Sequence, residues 1–330
     1  MKKCCFIVPY FGRFNNYFQL FLNSCRSNKT FNWLIFTDDK TEYNYPENVK
    51  VVYTTFEEIR DRFQSKFDFK ISLDRPYKLC DFKPTYGYVF EDYLKDYKFW
   101  GECDIDTIMG NLEAFFPNSF LENYDKILCL GHMVMYRNTA ENNRVFMNEY
   151  HGYFPYRLFL SCPEPFAFDE EGNPGNINRI FKESKKRVYD KDLSLNFEVR
   201  RTHFVRTIHV NFDVDGFKSF AHEKYRDALY VWEDGNIRRY YKHDGELIKE
   251  EFPYMHLQRR MMKLAPSVAN MDRYKIVPNA FLPIEVADSI TIHNFNKIRR
   301  HYFTTHAWDV RWPIYKTRIL RFLGLKKMRG

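Results

Sequence analysis

Apolar positions in the first 130 residues gather into short dense runs separated by stretches of helical period. Residues 3–8, apolar from Cys4 on, read as a strand buried on both faces, and Pro9-Tyr10-Phe11-Gly12 breaks it at its carboxyl end. Phe14, Tyr17, Phe18, Phe21, Leu22 and Cys25 then recur at helical spacing and predict an amphipathic helix over 14–25. Residues 33–36 and 49–53 read as the next strands, the first ending in Thr37-Asp38-Asp39, and Thr55 is placed to cap a helix reaching Phe67. Leu79, Phe82, Tyr86, Val89, Phe90 and Tyr93, behind Pro76, predict a helix over 77–93. The aromatic run 97–100 is strand-like, and Gly101 loosens the backbone where it ends. Residues 112–124 read as a helix, 126–130 as a buried strand, and a further helix starts at Thr139.

Strands alternating with helices predict a mostly parallel, doubly wound sheet flanked by helices. Ligands of such sheets bind beyond the carboxyl ends of the strands. The loops at 9–12, 38–39 and 104–106 all lie at such ends and are expected to converge on one crevice. Further on, Asn176 is placed to cap a helix over 177–186. Residues 228–258 read as a smaller antiparallel meander with turns at Asp234-Gly235 and Asp244-Gly245.

The candidate chemistry centres on Asp104-Ile105-Asp106. In an extended segment, residues two apart share a side, so both carboxylates face one cation while Ile105 points into the core. Hard divalent ions take carboxylate oxygens and complete their shell with phosphate and water, which suits a metal-bridged diphosphate. A second Asp-x-Asp, Asp213-Val214-Asp215, precedes Gly216 and reads as a turn. Around the crevice, Tyr10 or Phe11 would stack on a base, Asp38 or Asp39 would accept from a base or ribose, and Lys78 or Lys83 would meet a phosphate with Asp81 on the ribose.

Lys78-x-x-Asp81-x-Lys83, the helix carrying it, the aromatic strand and the Asp-x-Asp together resemble the core of GT-A-fold glycosyltransferases. The likeness is greatest to bacterial enzymes that build capsular and lipopolysaccharide repeat units. No Gly-Gly pair precedes the strand here, and Lys83-Pro84 stands where the family usually has Arg. The resemblance covers the first half well and the rest loosely. It implies a GT-A-like, Rossmann-like fold, a nucleotide-sugar donor held by 9–12, 38–39, Lys78, Asp81, Lys83 and Arg259, and Mn²⁺ or Mg²⁺ on Asp104, Asp106 and a late histidine, for which His256 is best placed. It further implies His132 as a substrate contact, and Asp169-Glu170 as an acidic pair beside the donor sugar that stabilises positive charge or receives the acceptor proton.

Composition adds two points. The seven cysteines have no paired metal spacing and include the adjacent Cys4-Cys5, so the expectation is a reducing compartment; with no long apolar run, the chain reads as cytoplasmic. The net charge of +8 is concentrated after residue 290, where ten Lys or Arg face one acid, Asp309. A basic amphipathic segment over 311–330 suits an anionic membrane interface, and no nucleic-acid motif accompanies it. The expected division is a catalytic domain over 1–290, with a nucleotide-sugar half over 1–130 and an acceptor half over 131–290, followed by a membrane-surface segment over 291–330. The expected activity is transfer of a sugar from a UDP-sugar to a lipid-linked bacterial surface glycan at the inner face of the cytoplasmic membrane. A nucleotide-sugar hydrolase or sugar-phosphate transferase, and a membrane-associated binding protein without catalysis, are the alternatives.

Overall fold

The computed structural model describes residues 2–199, 201–210, 220–258, 260, 262–284 and 289–300, with scattered positions from 305 to 320. Strands β1 (Lys2–Pro9), β2 (Phe31–Thr37), β3 (Val49–Tyr53) and β4 (Tyr97–Cys103) are parallel, in the order β3-β2-β1-β4. The chain then leaves this sheet as β5 (Thr107–Met109) and returns as β6 (Lys126–Leu130) and β7 (Met133–Arg137). β7 runs antiparallel to both β4 and β6, and β8 (Val188–Tyr189) pairs parallel to β6, so one strand of the seven opposes the rest. That reversal follows from length: Gly131-His132 is a hairpin link, far too short for a parallel crossover.

The dense apolar runs are strands buried on both faces. Cys4, Phe6, Val8, Trp33, Ile35 and Phe99 pack on one side of the sheet with α1 (Phe18–Arg26). Their alternates Cys5, Ile7, Leu34, Phe36 and Trp100 pack on the other with α2 (Phe56–Gln64). α2 starts at a full capping box in which the Thr55 hydroxyl accepts from the Glu58 amide and the Glu58 carboxylate accepts from the Thr55 amide.

Several predicted helices are shorter or broken: α2 ends at Gln64, the helix expected over 177–186 is Ile177–Glu183, and the one expected from Thr139 is the 3₁₀ helix Asn142–Met147. α1 begins at Phe18, after a segment in which the Phe14 amide donates to the Asp39 carboxylate and the Tyr17 amide to Asn15 Oδ1. The segment expected as one helix over 77–93 is a 3₁₀ helix, Pro76–Thr85, followed by one α-turn, Tyr86–Val89. Pro84 inside it has no N–H and its ring excludes α-helical packing against the preceding turn. Pro117 likewise divides 112–124 into Leu112–Phe115 and Asn118–Leu121.

The second half adds two sheets. β9 (Leu195–Phe197), β10 (Arg206–His209) and β11 (Phe220–His222) precede the meander β12 (Ala228–Glu233), β13 (Asn236–His243) and β14 (Glu246–Phe252). Its two turns carry Asp234-Gly235 and Asp244-Gly245, all four at positive φ, as two-residue hairpin turns require. The strand expected to run on to His256 is interrupted at Pro253, which cannot donate to a ladder. Beyond it, β15 (Tyr254–His256) changes sheets and joins β5 and β9 in the order β11-β10-β9-β15-β5. β16 (Lys263–Leu264), β17 (Arg273–Val277) and β18 (Ala280–Pro283) complete the meander sheet. A third apolar cluster joins Tyr17, Leu20 and Ile108 to residues of β12, β13, β17 and β18. The second Asp-x-Asp, at 213–215, lies outside the described residues, and no helix among the described residues is long and apolar enough to cross a membrane.

Candidate active site

β1 and β4 are neighbours in the sheet, although the chain passes through β2 and β3 on the other side of β1 between them. Crossovers diverging from one point leave a cleft beyond the strand ends there. A crevice of about 1160 Å³ opens at that place, lined by Val8 to Phe11 from the end of β1, Cys103 to Asp106 from the end of β4, and Asp169, Glu170 and Gln258 from later segments.

Asp104, Ile105 and Asp106 form a turn between β4 and β5 rather than a continued strand. Backbone bonds hold it: the Asp104 amide donates to the His132 carbonyl and the Asp106 carbonyl accepts from the Leu257 amide. Ile105 is buried among the residues under α1, as its apolar character requires. The register of β15 on β5 sets His256 opposite Thr107, so its imidazole arrives beside the two carboxylates. His256 Nε2 lies 3.4 Å from Asp106 Oδ1 and 3.9 Å from Asp104 Oδ2, and potential ligand atoms of all three residues lie within 4.8 Å of one another. Among the described residues this is the one such cluster.

The donor set fits a divalent cation. Asn196 Oδ1, on β9, lies 3.2 Å from His256 Nδ1 and already accepts from Gln258 Nε2 at 2.8 Å. An amide oxygen only accepts, so Nδ1 carries the proton and the Nε2 lone pair faces the carboxylates when the ring is neutral. Without a cation, burial lowers the pKa of His256, but Asp106 and Asp104 outweigh it and the net shift is upward. Asn196→Ala removes this orientation, and we expect Mn²⁺ affinity, measured by titration calorimetry, to fall about 10–100-fold.

Lys83 is the cation already present. Its Nζ donates to Asp104 Oδ1 at 2.7 Å and to the Gly131 carbonyl at 2.6 Å, and lies 3.4 Å from Asp169 Oδ2. Burial works against its charge, yet Asp104, Asp169 and Glu102 together hold its pKa well above the usual lysine value. Gly131 permits this convergence, because a Cβ there would lie 2.1 Å from Asp169 Oδ2. Its amide also donates to Glu170 Oε1 at 3.2 Å. Burial is the main force raising Asp169 to about 7, opposed by Lys83 and reinforced by Glu170 and Asp104. A carboxyl raised from 3.8 binds protons more readily in the folded state, so its contribution to stability falls as pH rises from about 4 to about 7. Asp169→Asn abolishes that component, on the order of 1.4 kcal/mol per pH unit in that window. Urea unfolding at pH 4.5 and 7 should therefore show wild type losing stability relative to the variant.

Several expected contacts are elsewhere. Lys78 and Asp81 are both fully buried and paired with each other at 2.7 Å, not open to the crevice. Asp81 also accepts from the Phe166 and Phe168 amides, while Lys78 donates to the Phe159 and Glu164 carbonyls. The pair therefore clamps the loop that presents Asp169-Glu170. His132 is also buried; it stacks on His256 at 4.2 Å, its Nδ1 sits 3.0 Å from the Tyr254 hydroxyl, and burial keeps it neutral, so it backs the site rather than meeting a substrate. Asp38 and Asp39 accept from the Gly12 and Phe14 amides, and Asp39 from Thr41 too, so they shape the loop after β1, and neither is in the lining of the crevice. Gly12, at φ +95°, makes that loop's turn. Arg259 lies outside the described residues. Arg260 donates to the carbonyls of Pro278, Glu198 and Arg201. Pro9, Tyr10, Phe11, Lys83, Asp169 and Glu170 do line the crevice.

Residues 6–285 match a family described as "Family of unknown function (DUF6625)". No curated protein matches the sequence. Among solved structures, the chain is similar to the galactosyltransferase LgtC in complex with donor and acceptor sugar analogs, at 8% identity, covering 58% of this chain and 75% of that one, with a TM-score of 0.34. An active-site mutant of LgtC matches at 9% identity, covering 58% and 74%, with a TM-score of 0.33. Likeness at this level assigns no activity.

Proposed function

We propose that this chain, which belongs to the family of unknown function DUF6625, is a metal-dependent glycosyltransferase that uses a nucleotide sugar. The observation that carries this reading is the cluster of Asp104, Asp106 and His256 beyond β4, facing the end of β1 across one crevice. It agrees with the GT-A-fold enzymes that the sequence resembles. Asp104, Asp106 and His256 would hold the cation, Mn²⁺ suiting the imidazole and Mg²⁺ the carboxylates. That ion, when bound, supplies Lewis-acid stabilisation of a departing nucleoside diphosphate.

The remaining roles belong to the chain's own groups. Tyr10, Phe11 and the exposed Tyr77 offer aromatic faces at the crevice for a base or sugar. Lys83 balances Asp104 and Asp169 and offers its ammonium to phosphate oxygens. Asp169, raised to about 7, suits proton exchange with an acceptor hydroxyl near neutrality, and the neighbouring Glu170 carboxyl suits charge developing at the anomeric carbon.

The donor is a UDP-sugar and the acceptor a bacterial surface glycan on a lipid carrier. Residues 1–290 form the catalytic part, and the basic segment after 290 rests on the inner face of the cytoplasmic membrane. Support for the last point comes from Trp308 and Trp312, exposed and stacked at 5.2 Å, with Tyr315 and Ile319 also exposed among the cations. Calorimetry of UDP binding tests the metal-bridged reading. Affinity at least about tenfold higher with Mn²⁺ than with EDTA is expected; equal affinity in the two buffers sinks it.

A further inference from the structure

A second cavity, about 400 Å³, shares no lining residue with the crevice and lies between β12, β17 and the end of α3 (Phe295–Arg299). Arg226, Arg299 and Arg300 line it together with Thr202, His203 and Tyr225, and among the described residues no Asp or Glu is in its lining. Its floor is apolar, from Leu229, Ile276, Val277 and Pro278.

The guanidinium groups are held in different ways. Arg299 Nη1 lies 3.1 Å from Asp227 Oδ1, which also accepts from the Tyr225 hydroxyl at 2.7 Å. The Arg226 guanidinium lies over the Tyr241 ring at 4.5 Å, an arrangement that orients the fork without neutralising it. Neither Arg226 nor Arg300 has a carboxylate partner among the described residues. Burial lowers the pKa of His203, whose ring meets Tyr225 at 4.3 Å, and the guanidiniums of Arg201 and Arg260 lower it further against Asp227.

We infer that this cavity is a second anion site, taking a phosphate or diphosphate group that carries an apolar or planar body. Planar guanidinium forks bind phosphate oxygens bidentately, and Arg226 and Arg300 bring charge that no carboxylate among the described residues pairs. The volume accommodates a diphosphate with the first atoms of its substituent. The same chemistry comes from a lipid headgroup or from a soluble phosphate ester. The cavity's place at the start of the basic, tryptophan-bearing segment makes both sources testable on one protein.

The probe is inorganic pyrophosphate, titrated calorimetrically into the full chain in EDTA with no sugar donor. The crevice then has no metal ion to hold the probe, and its Lys83 is paired with Asp104 and Asp169, so the outcome is independent of whether the protein transfers sugars. One site per chain is expected, with affinity at least about tenfold weaker in Arg226→Gln/Arg300→Gln. Both substitutions are at exposed positions, and thermal unfolding of the variant checks that it folds. Cosedimentation with vesicles of phosphatidylglycerol and phosphatidylcholine then assigns the source. Weaker vesicle binding by the variant supports a lipid phosphate, whereas unchanged vesicle binding beside lost pyrophosphate binding supports a soluble phosphate. Absence of pyrophosphate binding, or equal affinity in wild type and variant, overturns the inference.

Discussion

Asp106→Ala should lower metal-dependent nucleotide-sugar cleavage by about 10³-fold or more, with little change in folding stability. The two halves of this expectation have separate causes. Lewis-acid stabilisation of a leaving diphosphate is worth several kcal/mol, and each 1.36 kcal/mol is a factor of ten in rate. The side chain of Asp106 is 28% exposed, and its ion-pair contact is with His256, not with a structural cation. Asp104 differs, since its Oδ1 accepts from the buried Lys83. Asp104→Ala should therefore lose the same activity and some stability as well. Measuring turnover and urea unfolding on both variants separates the roles: a stable Asp106→Ala protein with near wild-type activity would remove the metal assignment.

The second large effect is on folding. Asp81→Ala should destabilise the chain by about 3–5 kcal/mol, because it leaves the Lys78 ammonium buried without its counter-charge. It also strips the Phe166 and Phe168 amides of their acceptor, so the loop carrying Asp169-Glu170 loses its anchor. Replacing both partners, as Lys78→Met/Asp81→Leu, should cost much less than the sum of the single changes, because no unpaired charge stays inside. Denaturant unfolding of the two single variants and the double variant checks this. Additive losses would mean that the pair contributes no coupled stabilisation.

These two carboxylates mark what was legible in the sequence. Asp104 and Asp106 stand out because dense apolar strands and the breaks at their ends are local signals, and the crevice follows from strand order alone. Asp81 looks like a ligand by the same local reading, but its partners are amides 85 and 87 residues away, brought near only by packing. Lys78 turns inward for the same reason. Asn196 and Gly131 carry no sequence signal of their own role: one matters through the Nδ1 of a histidine on the next strand, the other through the absence of a Cβ against Asp169. His256 lay within reach because it ends a strand, although its route into the site depends on Pro253, which sends β15 into a different sheet. Prolines 84 and 117 were visible throughout. The apolar periodicity around them is real and still yields only short turns, since the missing N–H overrides it.

The proposed crevice chemistry is cleavage of a nucleotide sugar with the help of a divalent cation. A panel of UDP-sugars and other nucleotide sugars, incubated with the full chain in Mn²⁺ or in EDTA and monitored for release of the nucleoside diphosphate, addresses it without any knowledge of the acceptor. Slow release from one donor is expected in Mn²⁺, abolished by EDTA and by Asp106→Ala, with faster release once a lipid-linked glycan acceptor is supplied. Release at the same rate in EDTA, or from no donor even with lipid-linked glycan acceptors present, would contradict it.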